Sequence, residues 1–261
     1  MKLTLHALLI STAAICGCGR ESNTPSNVAV PGAASSPKTQ VLEAGAAALQ
    51  NKPPIEALNA YLDGFHFYNG RMSAQMEAHH YCAMLNEEVT QCVIYDGNVK
   101  QAKLMGVEYI ISDRLFADLD PKEKLLWHSH VHEVKAGQLI APGIPEIAEK
   151  ELMKKLVTTY GKTWHTWHTD MDKQLPVGVP QLMMGFTADG QVDPAMVAAR
   201  DQRFAISSEE KRAQRQDIPA PAIDAGADAW QHGKVYQIAD PTGTPHGPET
   251  ASGADGALTP H

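Results

Sequence analysis

The chain has 261 residues, of which 43% are hydrophobic, so it is long enough to bury a sizeable core. It carries 22 lysines and arginines against 30 aspartates and glutamates, which gives a net charge of −8. An acidic chain without a basic stripe is a poor ligand for phosphate backbones, so we expect no nucleic-acid partner.

The N-terminal residues predict export. Lys2 provides a short positive region, and the mostly apolar residues 3–15 follow it. That run is too short to span a hydrocarbon core of about 30 Å as a helix, and it is typical of a signal peptide. We therefore interpret residues 1–17 as a lipoprotein signal peptide, with an ordinary secretory signal as the alternative.

The four residues that end this run, Ile-Cys-Gly-Cys, resemble a bacterial lipobox that ends at Cys18. The resemblance implies cleavage before Cys18 and lipidation of its thiol, with Cys16 as the weaker alternative. Gly19 and Arg20 follow, without an aspartate, which in lipoproteins of double-membraned bacteria implies transfer to the outer membrane. We therefore expect a protein that faces the periplasm and contacts the membrane through a lipid anchor.

Composition divides the rest of the chain into three parts. Residues 18–39 are rich in Ser, Pro, Gly and Ala and are expected to form a flexible tether. Residues 40–216 have the length of a single folded domain. Residues 217–261 are again rich in Pro, Gly and Ala and are expected to form a disordered tail, interrupted only by a short strand-like segment at 233–238.

Hydrophobic periodicity and turn residues predict the elements of the folded part. In chain order, the first are helices at 39–50 and 54–62 and strands at 77–85, 89–95 and 107–112. A capping pattern at Asp120 predicts a short helix. The later elements are strands at 126–134 and 138–141, a helix at 145–160, strands at 163–169 and 182–187, and a capped helix from Ser207. This order favours an α+β fold with a mostly antiparallel sheet, flanking helices and disordered tails.

Cys82 and Cys92 lie symmetrically about the turn expected at Glu87. A hairpin would place them directly opposite one another, with Cβ atoms about 4.5–5.5 Å apart, close to the separation that a disulfide needs. The oxidising periplasm would permit that bond. Two buried free thiols are the alternative.

Several sequence blocks in the folded part carry a family resemblance. They include Gly64-Phe65-His66, residues 77–82, residues 91–96, residues 106–112, residues 126–130, residues 160–163 and residues 180–184. In this order the blocks resemble the oil-body-associated protein family, a family of unknown function, over about residues 61–187. The resemblance implies association with lipid droplets in plants, export in bacteria and no established enzymatic activity.

Eight of the twelve histidines lie between residues 64 and 187. If residues 126–134 form a strand, then His128, His130 and His132 share one face. A His-x-His pair on a strand offers two nitrogens to one metal ion, and imidazole suits zinc, copper, nickel or iron. Plant relatives often have other residues in place of His132 and His168. The candidate ligands of a divalent transition metal are therefore His79, His80, His128, His130 and His165, with Glu77 and Glu133 as carboxylate candidates.

The sequence leaves the function open between three classes. The first is an envelope lipoprotein that binds a ligand or lipid or supports the membrane surface, and we favour it. The second is a metal-binding protein or metal-dependent enzyme centred on His128 and His130, with structural packing of these rings as the alternative. The third is a protein-interaction module on the outer membrane. A serine hydrolase is excluded because Ser129 lacks the surrounding nucleophile-elbow pattern.

Overall fold

The computed structural model describes residues 23–171 and 174–239, so the predicted signal peptide and Cys18 lie outside the described residues. Seven strands form one antiparallel sheet: β1 (Ala60–Tyr68), β2 (Arg71–Met84), β3 (Val89–Tyr95), β4 (Leu104–Ser112), β5 (His128–Ser129), β6 (Thr159–His165) and β7 (Gln181–Met184). Six of them close into a barrel in the order β1-β2-β3-β4-β6-β7, because β4 pairs with β6 and β7 pairs with β1. The short β5 pairs with the start of β6. The α+β prediction with an antiparallel sheet is confirmed.

The described helices are short. They are α1 (Pro37–Leu49), α2 (Pro53–Glu56), α3 (Asp113–Ala117), α4 (Pro121–Lys124), α5 (Val131–Lys135), α6 (Glu146–Leu156), α7 (Pro194–Phe204) and α8 (Ser208–Gln214), with a 3₁₀ turn at Ala229–His232. The predicted caps are confirmed: Asp120 accepts from the Lys122 amide at 2.8 Å, and Ser207 accepts from the Glu210 amide at 3.1 Å. Within the described part of the chain, no helix has the length and apolar character needed to cross a membrane.

The hairpin of β2 and β3 forms where the sequence predicts it. Cys82 and Cys92 occupy directly opposite register positions, and the structure joins them in a disulfide with the Sγ atoms 1.98 Å apart. Both cysteines are buried. The oxidation state of this pair in the cell stays a prediction.

Strand alternation fills the barrel with three layers of side chains. One end holds an apolar cluster in which Leu62 and Ile110 pack against Val134 of α5 and Leu156 of α6. The other end holds a second apolar cluster, composed of Tyr68, Met76, Ala78, Ile94, Met105 and Met183. Polar side chains lie between the two clusters. The sequence of each strand produces this arrangement. On β1, for example, the inward His66 lies between the inward Leu62 and the inward Tyr68.

Two predicted helices extend further than the structure shows. The helix predicted at 54–62 stops at Glu56, because residues 60–62 pair with β2 as the start of β1. The helix predicted at 145–160 ends at Leu156, because residues 159–165 form β6. In both cases, the ladder hydrogen bonds and burial on the barrel outweigh a local pattern that also fits a helix.

The strand predicted at 126–134 is also wrong in part. Only His128–Ser129 is extended; His130 turns the backbone (φ −90°, ψ 1°), and α5 follows at once. The three imidazoles at 128, 130 and 132 therefore do not share one strand face. His132 lies on α5, where its Nε2 is 3.8 Å from the exposed Asp189 carboxylate.

The remaining differences are the strand β1, which is not predicted as a strand, the bounds of β2, β6 and β7, and several loops and termini. Residues 138–141 contribute only a single bridge, between Ile140 and Asp63, and residues 233–238 form no strand. The helix α7 is not predicted from the sequence. Parts of the predicted tether and tail lie against the barrel: Ser26 donates to Asp96 at 2.7 Å, and Ile218 is buried in the core.

Candidate metal centre

The middle layer of the barrel contains a cluster of imidazoles around one carboxylate. We call it the polar layer, and its members are His66 on β1, His80 on β2, Glu108 on β4, His128 on β5, His130 after β5 and His165 on β6. None of these residues is more than 4% exposed. The layer thus assembles six titratable groups from five separate segments of the chain.

Glu108 is at the centre of the polar layer. Its Oε2 lies 2.9 Å from Nε2 of His80, and its Oε1 lies 3.2 Å from Nε2 of His130 and 3.5 Å from Nε2 of His128. Burial alone would raise the pKa of the Glu108 carboxyl, but the adjacent imidazoles hold that pKa well below its ordinary value. The carboxylate is therefore ionised at neutral pH.

The hydrogen bonds of His80 and His130 determine which ring nitrogen carries the proton. Nδ1 of His80 is 3.1 Å from the Ala78 carbonyl oxygen, which can only accept, so Nδ1 donates. Nδ1 of His130 is 2.8 Å from the Thr159 hydroxyl, whose own proton goes to the Leu156 carbonyl, so this Nδ1 also donates. In the neutral rings, both Nε2 atoms therefore point a lone pair at the Glu108 carboxylate.

The other rings of the polar layer have few partners. Nδ1 of His66 lies 3.5 Å from Nε2 of His165. Within the residues described, neither ring nitrogen of the buried His128 makes a hydrogen bond. Burial lowers the pKa of His66 well below its ordinary value and, helped by His168 and His80, lowers that of His165 to about 3. Both rings are therefore neutral at physiological pH and can offer a lone pair.

Burial would also lower the pKa of His128, but the neighbouring Glu108 carboxylate outweighs it and raises that pKa above its ordinary value. Glu133 on α5 lies on the other side of His128. Burial raises the pKa of its carboxyl to about 8, so Glu133 carries a proton at neutral pH.

Two overlapping groups of donor atoms have the spacing of metal ligands. One group is His66, Glu108 and His128, the other is His128, His130 and Glu133, and within each group the donor atoms lie within 4.8 Å of one another. The cavity beside them has a volume of about 10 Å³, which is room for about one water molecule or ion. An organic substrate does not fit there.

Two glycines leave room for the side chains of the polar layer and of Glu133. A Cβ atom on Gly161 of β6 would overlap Oε1 of Glu108 and would lie 2.8 Å from Nε2 of His130 and 2.9 Å from Nε2 of His128. A Cβ atom on Gly185 would lie 2.8 Å from Oε2 of Glu133. Any other residue at position 161 would occupy the centre of the polar layer.

A second polar group lies on the outer face of the barrel. Nδ1 of His79 is 3.0 Å from Oδ2 of Asp63 and 2.7 Å from the Tyr61 hydroxyl. Arg200 of α7, which is completely buried, bonds the other Asp63 oxygen at 3.0 Å, and Arg203 pairs with Glu77. Because arginine cations already neutralise both carboxylates, we interpret this group as an ion-pair network that attaches α7 to the barrel.

The structure thus separates the residues proposed from the sequence. His80, His128, His130 and His165 meet in the polar layer, whereas His79 points to the opposite face of β2 because it is adjacent to His80. Sequence reasoning missed Glu108, and it counted His66 without selecting it. The signal for Glu108 was a lone carboxylate at an inward position of a strand, two residues from Ile110.

Comparison with known proteins places the chain in a family. The model of a family described as "Protein of unknown function (DUF1264)" matches residues 52–219. Oil body-associated protein 1B of Arabidopsis thaliana is 42% identical over 202 residues, which cover 77% of this chain and 84% of that protein. Oil body-associated protein 1A of Zea mays is 39% identical over 217 residues, which cover 83% and 87% respectively. No solved structure matches the chain. The chain therefore belongs to the DUF1264 family of oil body-associated proteins, a family of unknown function.

Proposed function

We propose that this protein binds one divalent transition-metal ion inside the barrel, with Glu108, His66 and His128 as the group that has ligand spacing and His80 or His130 completing the site. The donor set consists of imidazoles and one carboxylate, which suits zinc, copper, nickel or iron. Calcium and magnesium prefer sites made of oxygen atoms. The ligands therefore indicate a class of metal, and metal analysis must identify the element.

The orientation of His80 and His130 carries the proposal. Each ring donates its Nδ1 proton away from the centre, to the Ala78 carbonyl or the Thr159 hydroxyl. Metal-binding histidines commonly use the second nitrogen in this way, which fixes the ring and leaves the first nitrogen free for the ion. Burial lowers the pKa of His130, which favours its neutral ring. A lone pair aimed at a carboxylate is unfavourable unless a proton or a metal ion lies between them. A proton on Nε2 accounts for the low pKa of Glu108 in the metal-free protein, and the proposed metal ion would take its place.

The closed form of the site favours metal binding over catalysis on an organic molecule. The cavity of about 10 Å³ is lined in part by His66, His80, Glu108, His130 and Glu133, and the polar layer is buried on all sides. Structural metal sites are closed in this way, whereas catalytic sites keep a ligand position open to substrate. The ion would therefore stabilise the barrel or be stored there.

The test is metal analysis of full-length protein purified without a histidine tag, after incubation with each of the four metals and dialysis. We expect close to one ion per chain in the wild type and a large loss in Glu108→Gln and His130→Asn. His132→Asn is the matched control, because it removes a nearby histidine that lies outside the polar layer. A wild-type protein that retains no ion and shows no thermal shift with any of the metals would refute the proposal.

We also propose that the protein is anchored in the outer membrane through a lipid on Cys18, with the barrel in the periplasm. The lipobox-like residues before Cys18 support this location. The helix α1 supports a role at a lipid surface, because none of its residues is buried and Leu42 and Leu49 are 63% and 85% exposed. The similar plant proteins are named for their association with oil bodies.

Membrane fractionation and labelling with a palmitate analogue test this second proposal. We expect the wild type to be labelled and to sediment with the outer membrane, and we expect Cys18→Ser to be unlabelled and released. A wild-type protein that is unlabelled and soluble in the periplasm would contradict the anchor. If α1 adds lipid affinity, purified Cys18→Ser will bind phospholipid vesicles and Cys18→Ser/Leu42→Glu will bind them more weakly.

A further inference from the structure

A segment near the C-terminal end of the described chain contacts the polar layer from outside. Residues 224–232, which we call the strap, belong to the predicted tail and lie beyond the residues that the family model matches, 52–219. The strap is tied to the strands around the site. The Asp224 amide donates to the Tyr160 hydroxyl at 2.9 Å, and the Asp228 amide donates to the Trp127 carbonyl at 3.0 Å.

Asp228 makes the closest contacts of the strap with β5. Its Oδ1 accepts from the Ser129 amide at 3.1 Å, and its Oδ2 accepts from the Ser129 hydroxyl at 2.7 Å. Its side chain and backbone therefore hold residues 127 and 129 with three hydrogen bonds. The carboxylate is not available to solvent, because Asp228 is only 3% exposed.

The backbone at Asp228 is in a left-handed conformation, with φ 51° and ψ 38°. Residues other than glycine adopt this region uncommonly, although aspartate tolerates it better than most. A conformation of this kind persists only when surrounding contacts impose it. At Asp228, those contacts are the hydrogen bonds to Trp127 and Ser129.

His128 is the residue between these two anchored positions. Its ring nitrogens have no hydrogen bond among the residues described, and the polar contact recorded for the ring is the 3.5 Å approach of Nε2 to Oε1 of Glu108. The strand β5 is also only two residues long and pairs with β6 at two positions. The backbone on either side of His128 therefore sets the position from which the ring extends toward Glu108.

We propose that Asp228 is a positioning residue of the polar layer, which holds β5 so that the His128 ring faces Glu108. The expected effect of Asp228 on metal affinity rests on the proposed metal site. The position of the His128 ring can be measured in metal-free protein. This role belongs to the strap, which composition alone predicts to be part of a disordered tail. Changes to residues that orient a ligand commonly cost about 10–100-fold in metal affinity.

The main variant is Asp228→Gly, which keeps the left-handed backbone accessible and removes only the carboxylate. The matched control is Asp224→Ala, which removes a strap carboxylate that pairs with Lys124 and makes no bond to β5. A second variant, Ser129→Ala, deletes only the hydroxyl contact and keeps the amide contact. All three are made in the full chain.

The first measurement is the NMR spectrum of ¹⁵N-labelled imidazoles in metal-free protein, with the His128 signal assigned by comparison with His128→Gln. We expect the His128 signal to shift or broaden in Asp228→Gly, to shift less in Ser129→Ala and to stay unchanged in Asp224→Ala. The second measurement is the affinity for Co²⁺ and the visible spectrum of the complex. We expect about 10–100-fold weaker binding and an altered spectrum in Asp228→Gly, with wild-type values in Asp224→Ala.

An unchanged His128 signal in a folded Asp228→Gly variant would overturn the proposal, even if its melting temperature fell, because a merely structural role would lower stability alone. If Asp228→Gly does not fold, an unchanged His128 signal in Ser129→Ala overturns it instead. A wild-type protein that binds no Co²⁺ would count against the metal site, whereas the metal-free spectra would still decide whether Asp228 positions His128.

Discussion

Gly161→Ala is the most direct perturbation of the polar layer. The added methyl group would overlap Oε1 of Glu108 and would approach the Nε2 atoms of His130 and His128 to 2.8 and 2.9 Å. Real Cβ atoms essentially never lie that close to other heavy atoms, so the carboxylate and both rings must move. None of the three is the end of a flexible side chain at the surface, since all are buried.

Overpacking of this kind typically costs about 1–3 kcal/mol of folding free energy. For a domain of this size, that loss corresponds to a fall of about 2–12 °C in melting temperature. The methyl group also takes the space between the donor atoms, so we expect Gly161→Ala to lose most of its bound metal. Calorimetry of metal-free protein and metal analysis after dialysis measure the two effects separately.

Gly64→Ala is the matched control for this experiment. Gly64 also lies on an inward face of the barrel, but a Cβ atom there would meet only the Leu139 Cδ1 atom, at 3.2 Å. The end of a leucine side chain can move aside, so we expect a cost at the low end of the range, about 1 kcal/mol. Because Gly64 also lines the small cavity beside the donor atoms, this variant is a control for stability and not for metal content. A Gly161→Ala variant with wild-type stability and metal content would refute the described position of Glu108 and its histidines.

Four further predictions follow from the same structure. Burial raises the pKa of Glu133 to about 8. The free energy of unfolding of the metal-free protein should therefore fall as pH rises from about 4.5 to 8. Measured by urea unfolding, this free energy should fall less over the same range in Glu133→Gln. Burial lowers the pKa of His165 to about 3, so the folded protein keeps this ring neutral. The neutral ring contributes stability above about pH 6.5, and that contribution is lost as pH falls toward 3. His165→Gln should therefore be less sensitive to acid than the wild type, and equal acid sensitivity would contradict this. Arg200→Met leaves the buried Asp63 carboxylate without its arginine and should cost about 3–5 kcal/mol; a loss below about 1 kcal/mol in urea unfolding would contradict the described ion pair. The two cysteines of β2 and β3 should resist alkylation in unfolded, unreduced protein from the periplasm and react after reduction, and two reactive thiols before reduction would contradict the disulfide.

The hairpin of β2 and β3, the strand β4 and the caps of α4 and α8 could be predicted because each has a local signal. The hairpin is marked by its turn residues and alternation, and each cap is marked by a side chain that can bond an exposed amide. β1 had no such signal. Both of its faces are buried, with Phe65 and Phe67 on one face and Leu62 on the other, so its apolar residues do not alternate regularly with polar ones.

The metal centre could be predicted only in part, for a related reason. The His-x-His spacing identified His128 and His130, but the strand geometry assumed for them was wrong beyond Ser129. The two rings meet Glu108 because the chain turns at His130, where Thr159 bonds both the His130 amide and its ring. The role of Glu108 itself depends on closure of the barrel between β4 and β6, which no local pattern specifies.

The two apolar clusters that enclose the polar layer have a kinetic consequence. In the described part of the chain, Val134 of α5 and Leu156 of α6 cover the end of the barrel next to the cavity with at most 5% exposure, so we expect an ion to reach Glu108 when that end opens. Entry and departure of an ion would therefore proceed at the rate of local unfolding of that end and not at the rate of diffusion. A chelator added to loaded, folded protein should remove metal with a half-time that does not depend on chelator concentration. Loading would be fastest while the chain is still folding after export.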